Sequence, residues 1–93
     1  MDYQAELLVI IKKHIPNCTV YLFGSRARKK HHVGSDIDLA IDAHQVLDSG
    51  VIGNIKEEIE ESTIPYFVDV IDFNDVSADM KEEILKDGII WSS

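Results

Sequence analysis

Apolar residues recur along this chain in two rhythms, one helical and one strand-like. Over residues 4 to 15, Leu7, Leu8, Ile11 and Ile15 fall at helical spacing, with Glu6, Lys12 and Lys13 on the other side. Pro16-Asn17 closes that helix. Residues 19 to 23 are β-branched and aromatic, which predicts a strand. Gly24-Ser25 breaks it, and Ser25 is a good N-cap for a short helix over 25–30, followed by a loop over 31–34. Residues 36–42 then alternate strictly, with Ile37, Leu39 and Ile41 pointing one way and Asp36, Asp38, Ala40 and Asp42 the other. That is the pattern of a strand with one buried face. Residues 50–62 predict a second amphipathic helix with Val51, Ile52, Ile55 and Ile59 as its apolar stripe. Its solvated side carries Lys56, Glu57, Glu58, Glu60 and Glu61. Pro65 and Tyr66 lead into a third strand over 67–73. A third helix follows over 76–87, with Ser77 as N-cap and Gly88 in the usual C-terminal place. Ile89-Ile90-Trp91 adds a short last strand. The order α-β-α-β-α-β-α-β predicts an α/β (α+β) fold, a mixed β-sheet flanked by helices.

Composition narrows this picture. A chain of 93 residues without repeats, low-complexity tracts or linkers is read as one domain, 1–93, with little room for a second substrate-binding lobe. The longest apolar runs are a few residues, too short to span a membrane, and the polar, acidic first residues do not resemble a signal peptide. Cys18 is the single cysteine, so no internal disulfide forms; a buried thiol in a cytoplasmic protein is the expectation. The net charge of −8 disfavours direct binding of nucleic acid, whose phosphates need a basic surface. It suits a small substrate carried with Mg²⁺, or a basic protein partner.

The candidate chemistry lies in the middle of the chain. Asp36 and Asp38 are two apart on a strand, so their carboxylates leave one face, roughly 6.5–7 Å apart at Cα. Two such groups raise each other's pKa unless a cation compensates, and Mg²⁺ takes carboxylate oxygens together with water and phosphate. An Asp-x-Asp pair alone is weak evidence, because on an exposed strand face it is more often just solvated. Gly24-Ser25 changes the weighing, because a glycine and a hydroxyl at a strand-to-helix turn can cradle phosphate. Arg26, Arg28, Lys29 and Lys30 follow, four of the nine Lys and Arg residues of an otherwise acidic chain. Basic groups there offset charge on a transferring group. Neither a Walker loop nor a dinucleotide fingerprint is present. His31 and His32 are adjacent and diverge, and His14 and His44 lie elsewhere, so the four histidines do not suggest zinc.

The run Gly24-Ser25-Arg26-Ala27-Arg28, then seven residues, then Asp36-Ile37-Asp38-Leu39 resembles the signature of the DNA polymerase beta-like nucleotidyltransferases. More narrowly it is similar to the minimal nucleotidyltransferases, the small partners of HEPN-domain proteins. The resemblance implies the polymerase beta-like fold and a third carboxylate on a later strand. Asp69 and Asp72 are the two choices, and Asp69-Val70-Ile71 matches the family pattern; Asp72 is then a cap or surface group. It also implies two Mg²⁺ ions held by Asp36, Asp38 and Asp69, ATP as substrate, Gly24 and Ser25 on the triphosphate, and Arg26 or Arg28 offsetting its charge. Relatives often carry a small residue after the second Arg, where this chain has Lys29-Lys30-His31-His32.

The expected function is transfer of AMP from ATP to a tyrosine of a HEPN toxin, with the chain acting as antitoxin in a hetero-oligomer. Two alternatives stand beside it. One is a module that binds nucleotide or partner without transfer, which the three intact acids disfavour. The other is a small-molecule transferase of the aminoglycoside type, for whose acceptor domain 93 residues leave no space.

Overall fold

A computed structural model describes residues 3–24, 26–27 and 36–92. Helix α1 (Gln4–His14) leads into strand β1 (Thr19–Phe23), and β2 (Ile37–Asp42) follows. Then come α2 (Ser49–Glu61), β3 (Val68–Asp72), a 3₁₀ turn (Phe73–Asp75), α3 (Ala78–Asp87) and β4 (Ile89–Ser92). The sheet order is β3-β2-β1-β4. β1 runs antiparallel to β2 and β4, while β2 and β3 are parallel, so the sheet is mixed as expected. The short helix expected over 25–30 falls largely outside the described residues; Arg26 and Ala27 lie in a turn.

The alternation along the strands sorts side chains onto two unequal faces. Val20, Leu22, Ile37, Leu39, Ile41, Val68 and Val70 point to one face and pack with Leu7, Ile10 and Ile11 of α1 and Ile55 and Ile59 of α2. This is the main core, and its burial of apolar area is the chief stabilising force. Glu58 ties the two helices from outside, 2.5 Å from Lys13 Nζ and 3.0 Å from His14 Nε2. The Glu run of α2 is therefore not wholly a solvated face. Cys18 is buried beside this core and donates its thiol to the Ile15 carbonyl; burial pushes that thiol up.

Among the described residues, the other face is covered by one small cluster. Ala40, Phe73 and Ile84 form a small second cluster with Tyr21, Phe23, Ile71 and Met80, and the Tyr21 and Phe73 rings stack at 5.4 Å. Ala40 is fully buried, so β2 is covered on both sides at its middle rather than on one face throughout. The sequence pattern hid this because alanine fits either side of a strand.

Ser77 caps α3 as expected, its hydroxyl accepting from the Met80 amide. Gly88 ends the helix at φ −71°, an ordinary value, and not in the left-handed form usual for a terminal glycine. Its reason is space: a Cβ there would strike the Ile84 carbonyl oxygen, to which the Gly88 amide donates at 2.7 Å. That tight end turns the chain straight into β4, which pairs Ile89 and Ile90 with Leu22 and Tyr21.

Candidate active site

Strand register assembles the site. In the antiparallel β1–β2 pair, Phe23 stands opposite Asp38, so Gly24 arrives beside the Asp38 carboxylate. Gly24 has φ +75°, a conformation in which a side chain is strained. A Cβ at this position would also collide with Asp38 Oδ2. Two independent requirements thus call for glycine where the β1 strand turns toward Ser25. In the parallel β2–β3 pair, Asp38 is the register partner of Asp69, so both leave the same face of adjacent strands. Asp36 is exposed just before β2 begins.

Electrostatics mark the same spot. Burial pushes the Asp38 carboxyl above its ordinary value, and the nearby charges of Asp69 and Asp36 push it further. Asp36 and Asp69 both act on Asp38, two of the three acids are half-buried, and a hard dication would neutralise the negative charge they concentrate. Among the described residues, no three His, Cys, Asp or Glu side chains are already gathered into a metal-binding group. Asp69 instead holds a protein cation: Lys56 Nζ of α2 is 3.2 Å from Asp69 Oδ1. The donor chemistry fits a divalent ion, and the arrangement is one in which Asp69 is engaged elsewhere.

Asp72 is used structurally. Its Oδ1 accepts from the Asn74 amide and caps the 3₁₀ turn, while its Oδ2 accepts from the Leu47 amide at 2.8 Å. Its register partner is Ile41, on the main-core side, so it does not stand with Asp38. Asp42 shares the Asp38 face but lies at the far end of β2, where Asn74 Nδ2 and the His44 amide both donate to its Oδ1 at 2.8 Å.

Of the expected phosphate-binding residues, Ser25 and Arg28 lie outside the described residues, as do Lys29, Lys30, His31 and His32. Arg26 is described, with its guanidinium 4.9 Å from the ring centroid of Tyr66. Tyr66 in turn meets Tyr3 edge-on at 5.6 Å, and the neighbouring Ala27 is buried in the main core. The turn after β1 is thus pinned by one stacked cation and one buried methyl group. Sequence reading missed Lys56 and Tyr66 as neighbours of the site. Lys56 carried a signal, being the only basic residue in α2, but its reach to Asp69 depends on helix placement.

Comparisons with known proteins point the same way. The family pattern described as "Polymerase beta, Nucleotidyltransferase" matches residues 6–93. A "Probable protein adenylyltransferase MntA" of Haemophilus influenzae is 38% identical over 90 residues, spanning 92% of this chain and 79% of that protein. The "Protein adenylyltransferase MntA" of Shewanella oneidensis is 26% identical over 84 residues, 89% of this chain and 60% of that one. A solved toxin–antitoxin structure with AMP-PNP superposes at a TM-score of 0.83 with 23% identity, covering 97% of this chain and 73% of the other. A complex of the tri-AMPylated Shewanella oneidensis HEPN toxin with MNT antitoxin superposes at 0.76 with 21% identity, covering 97% and 69%. At these identities the structures establish a shared fold.

Proposed function

Because the chain belongs to the polymerase beta nucleotidyltransferase family, we propose that it is a Mg²⁺-dependent protein adenylyltransferase that transfers AMP from ATP to a tyrosine hydroxyl of a HEPN-domain toxin. The observation that carries this reading is the convergence of Gly24, Asp38 and Asp69 through strand register. The names of the two relatives supply the reaction class, and the complex with a tri-AMPylated toxin supplies the acceptor. The chain then acts as an antitoxin in a hetero-oligomer, in the cytoplasm where ATP is at hand.

The reaction forms a bond between the tyrosine oxygen and the α-phosphorus and breaks the bond from that phosphorus to the β-bridging oxygen. Pyrophosphate leaves and the hydroxyl proton goes to a base. Asp36, Asp38 and Asp69 are the residues that would hold Mg²⁺, two ions in our reading, whose chemistry when bound is to neutralise phosphate charge and acidify the attacking hydroxyl. Asp69, on the edge strand β3, would help to deprotonate the attacking hydroxyl. Gly24 lets the backbone approach the triphosphate, and Ser25 and Arg28 contribute a hydroxyl and a positive charge. Arg26, stacked on Tyr66, acts by fixing the turn. Positioning and electrostatics carry the rate, as in other phosphoryl transfers.

The test is incubation of the chain with Mg²⁺, ATP labelled on its α-phosphate, and a purified HEPN-domain toxin. Label should appear on the toxin and be lost with Asp38→Asn. No label on the toxin with the intact chain would overturn the proposal.

A further inference from the structure

Lys56 follows the buried Ile55 on α2 and is flanked by Glu57, Glu58 and, one turn on, Glu60. Glu60 at i+4 offers a local helical partner. The ammonium nevertheless reaches across to the edge strand and sits 3.2 Å from Asp69 Oδ1. Both side chains are part-exposed, at 43% and 38%, and an ion pair of that kind adds little to stability. Its position matters more than its strength. It holds the carboxylate that stands in register with Asp38, whose own charge is disfavoured by burial and by Asp69 and Asp36.

We infer that Lys56 is a positioning residue for the carboxylate cluster, a tethered cation that holds Asp69 until a divalent ion takes that carboxylate over. The inference rests on the reading of Asp38 and Asp69 as metal ligands. A lysine ammonium is a single charge on a flexible four-carbon stem, so it gives way to a dication without rearrangement of the backbone. Until then it lowers the negative potential of the cluster and competes for Asp69. A free divalent ion is thereby held weakly, whereas one delivered on a nucleoside triphosphate brings phosphate ligands of its own and needs Asp69 less.

The test is calorimetric titration of the intact, nucleotide-free chain with Mn²⁺. Lys56→Gln should bind Mn²⁺ about two- to five-fold tighter than wild type, the range an exposed ion pair supports. Lys56→Arg, which keeps the cation, should match wild type. In an Asp69→Asn background the gain from Lys56→Gln should shrink, because the competition for that carboxylate is gone. Unchanged or weaker binding by Lys56→Gln overturns the inference, as does an equal gain in the Asp69→Asn background. If wild type binds Mn²⁺ and Asp38→Asn does not, the metal-site reading stands whatever Lys56 does. A wild-type chain that takes up no Mn²⁺ overturns both.

Discussion

Asp38 and Asp42 stand four residues apart on one face of one strand, and the fold surrounds them with opposite environments. Around Asp38 are burial, the carboxylates of Asp69 and Asp36, and a glycine whose missing side chain leaves room at Oδ2. Around Asp42 burial also acts to raise the carboxyl, but the Asn74 side chain, the His44 amide and the charges of His44 and Lys81 outweigh it and hold the group below its ordinary value. His44 makes its contribution from φ 64°, a strained conformation that brings its amide back to Asp42. At one end of the strand the described residues hydrogen-bond the carboxylate; at the other they gather like charge around it, with Lys56 engaged on Asp69. Sequence spacing makes the two acids equivalent, and only their surroundings separate a structural group from a reactive one.

The largest expected effect comes from breaking the end where like charge gathers. Asp38→Asn should lower AMP transfer by about 10²–10³-fold, the usual loss when a preorganised charge is removed from such a site. In the metal-free chain the same change should raise Tm slightly, by less than about 1 kcal/mol of stability after solvent screening, because it removes a repelled carboxylate. Thermal melts and a labelled-ATP assay on one preparation check both, and a loss of stability with Asp38→Asn would contradict the comparison. Gly24→Ala comes next. It must place a Cβ against Asp38 at a positive φ, which should cost about 1–2 kcal/mol in a urea melt and, by displacing the carboxylate, about 10²-fold in transfer. At the satisfied end, Asp42→Ala should destabilise by about 1–2 kcal/mol through the two lost hydrogen bonds. It should leave transfer at saturating ATP within about two-fold of wild type, since additivity holds between separate sites.

Much of this was legible in the chain itself. The period-2 run from Ile37 to Asp42 and the period-3.6 runs of α1 and α2 gave nearly the observed elements, because core burial imposes those periods directly. The placing of Asp69 beside Asp38 is now given by the parallel register, whereas the sequence offered Asp69 and Asp72 on one strand. Pairing partners are long-range, so no local pattern encodes them. The same limit explains Lys56: helical periodicity put it on the solvated side of α2, but a long flexible side chain can reach a group on another element, and the residue is half-buried. The 3₁₀ turn at Phe73–Asp75 was missed because its signal is one hydrogen bond, from the Asn74 amide to Asp72, with no repeating pattern. Gly88 was placed rightly, but its reason is the close Ile84 carbonyl and not a left-handed turn.

The smallest expected effect is also the most discriminating, because it separates the two ends of β2 by pH in the metal-free chain. Asp38 has a folded value above its unfolded one, so its ionisation penalises the fold. That penalty is full above the folded value, shrinks as pH falls through it, and is gone below the unfolded value of about 3.9. Asp42 has a folded value below its unfolded one. Its contribution is favourable, complete above about 3.9, and lost as pH falls through the folded value. Asp38→Asn and Asp42→Asn should therefore shift stability in opposite directions at pH 7, each by about 1 kcal/mol or less. On acidification the Asp38→Asn gain should fade first, at pH values above about 3.9, while the Asp42→Asn loss persists to that point and fades only below it. Urea melts of the two variants and wild type between pH 7 and pH 3 check the order, and a reversed order would mean that the environments of the two carboxylates had been assigned the wrong way round.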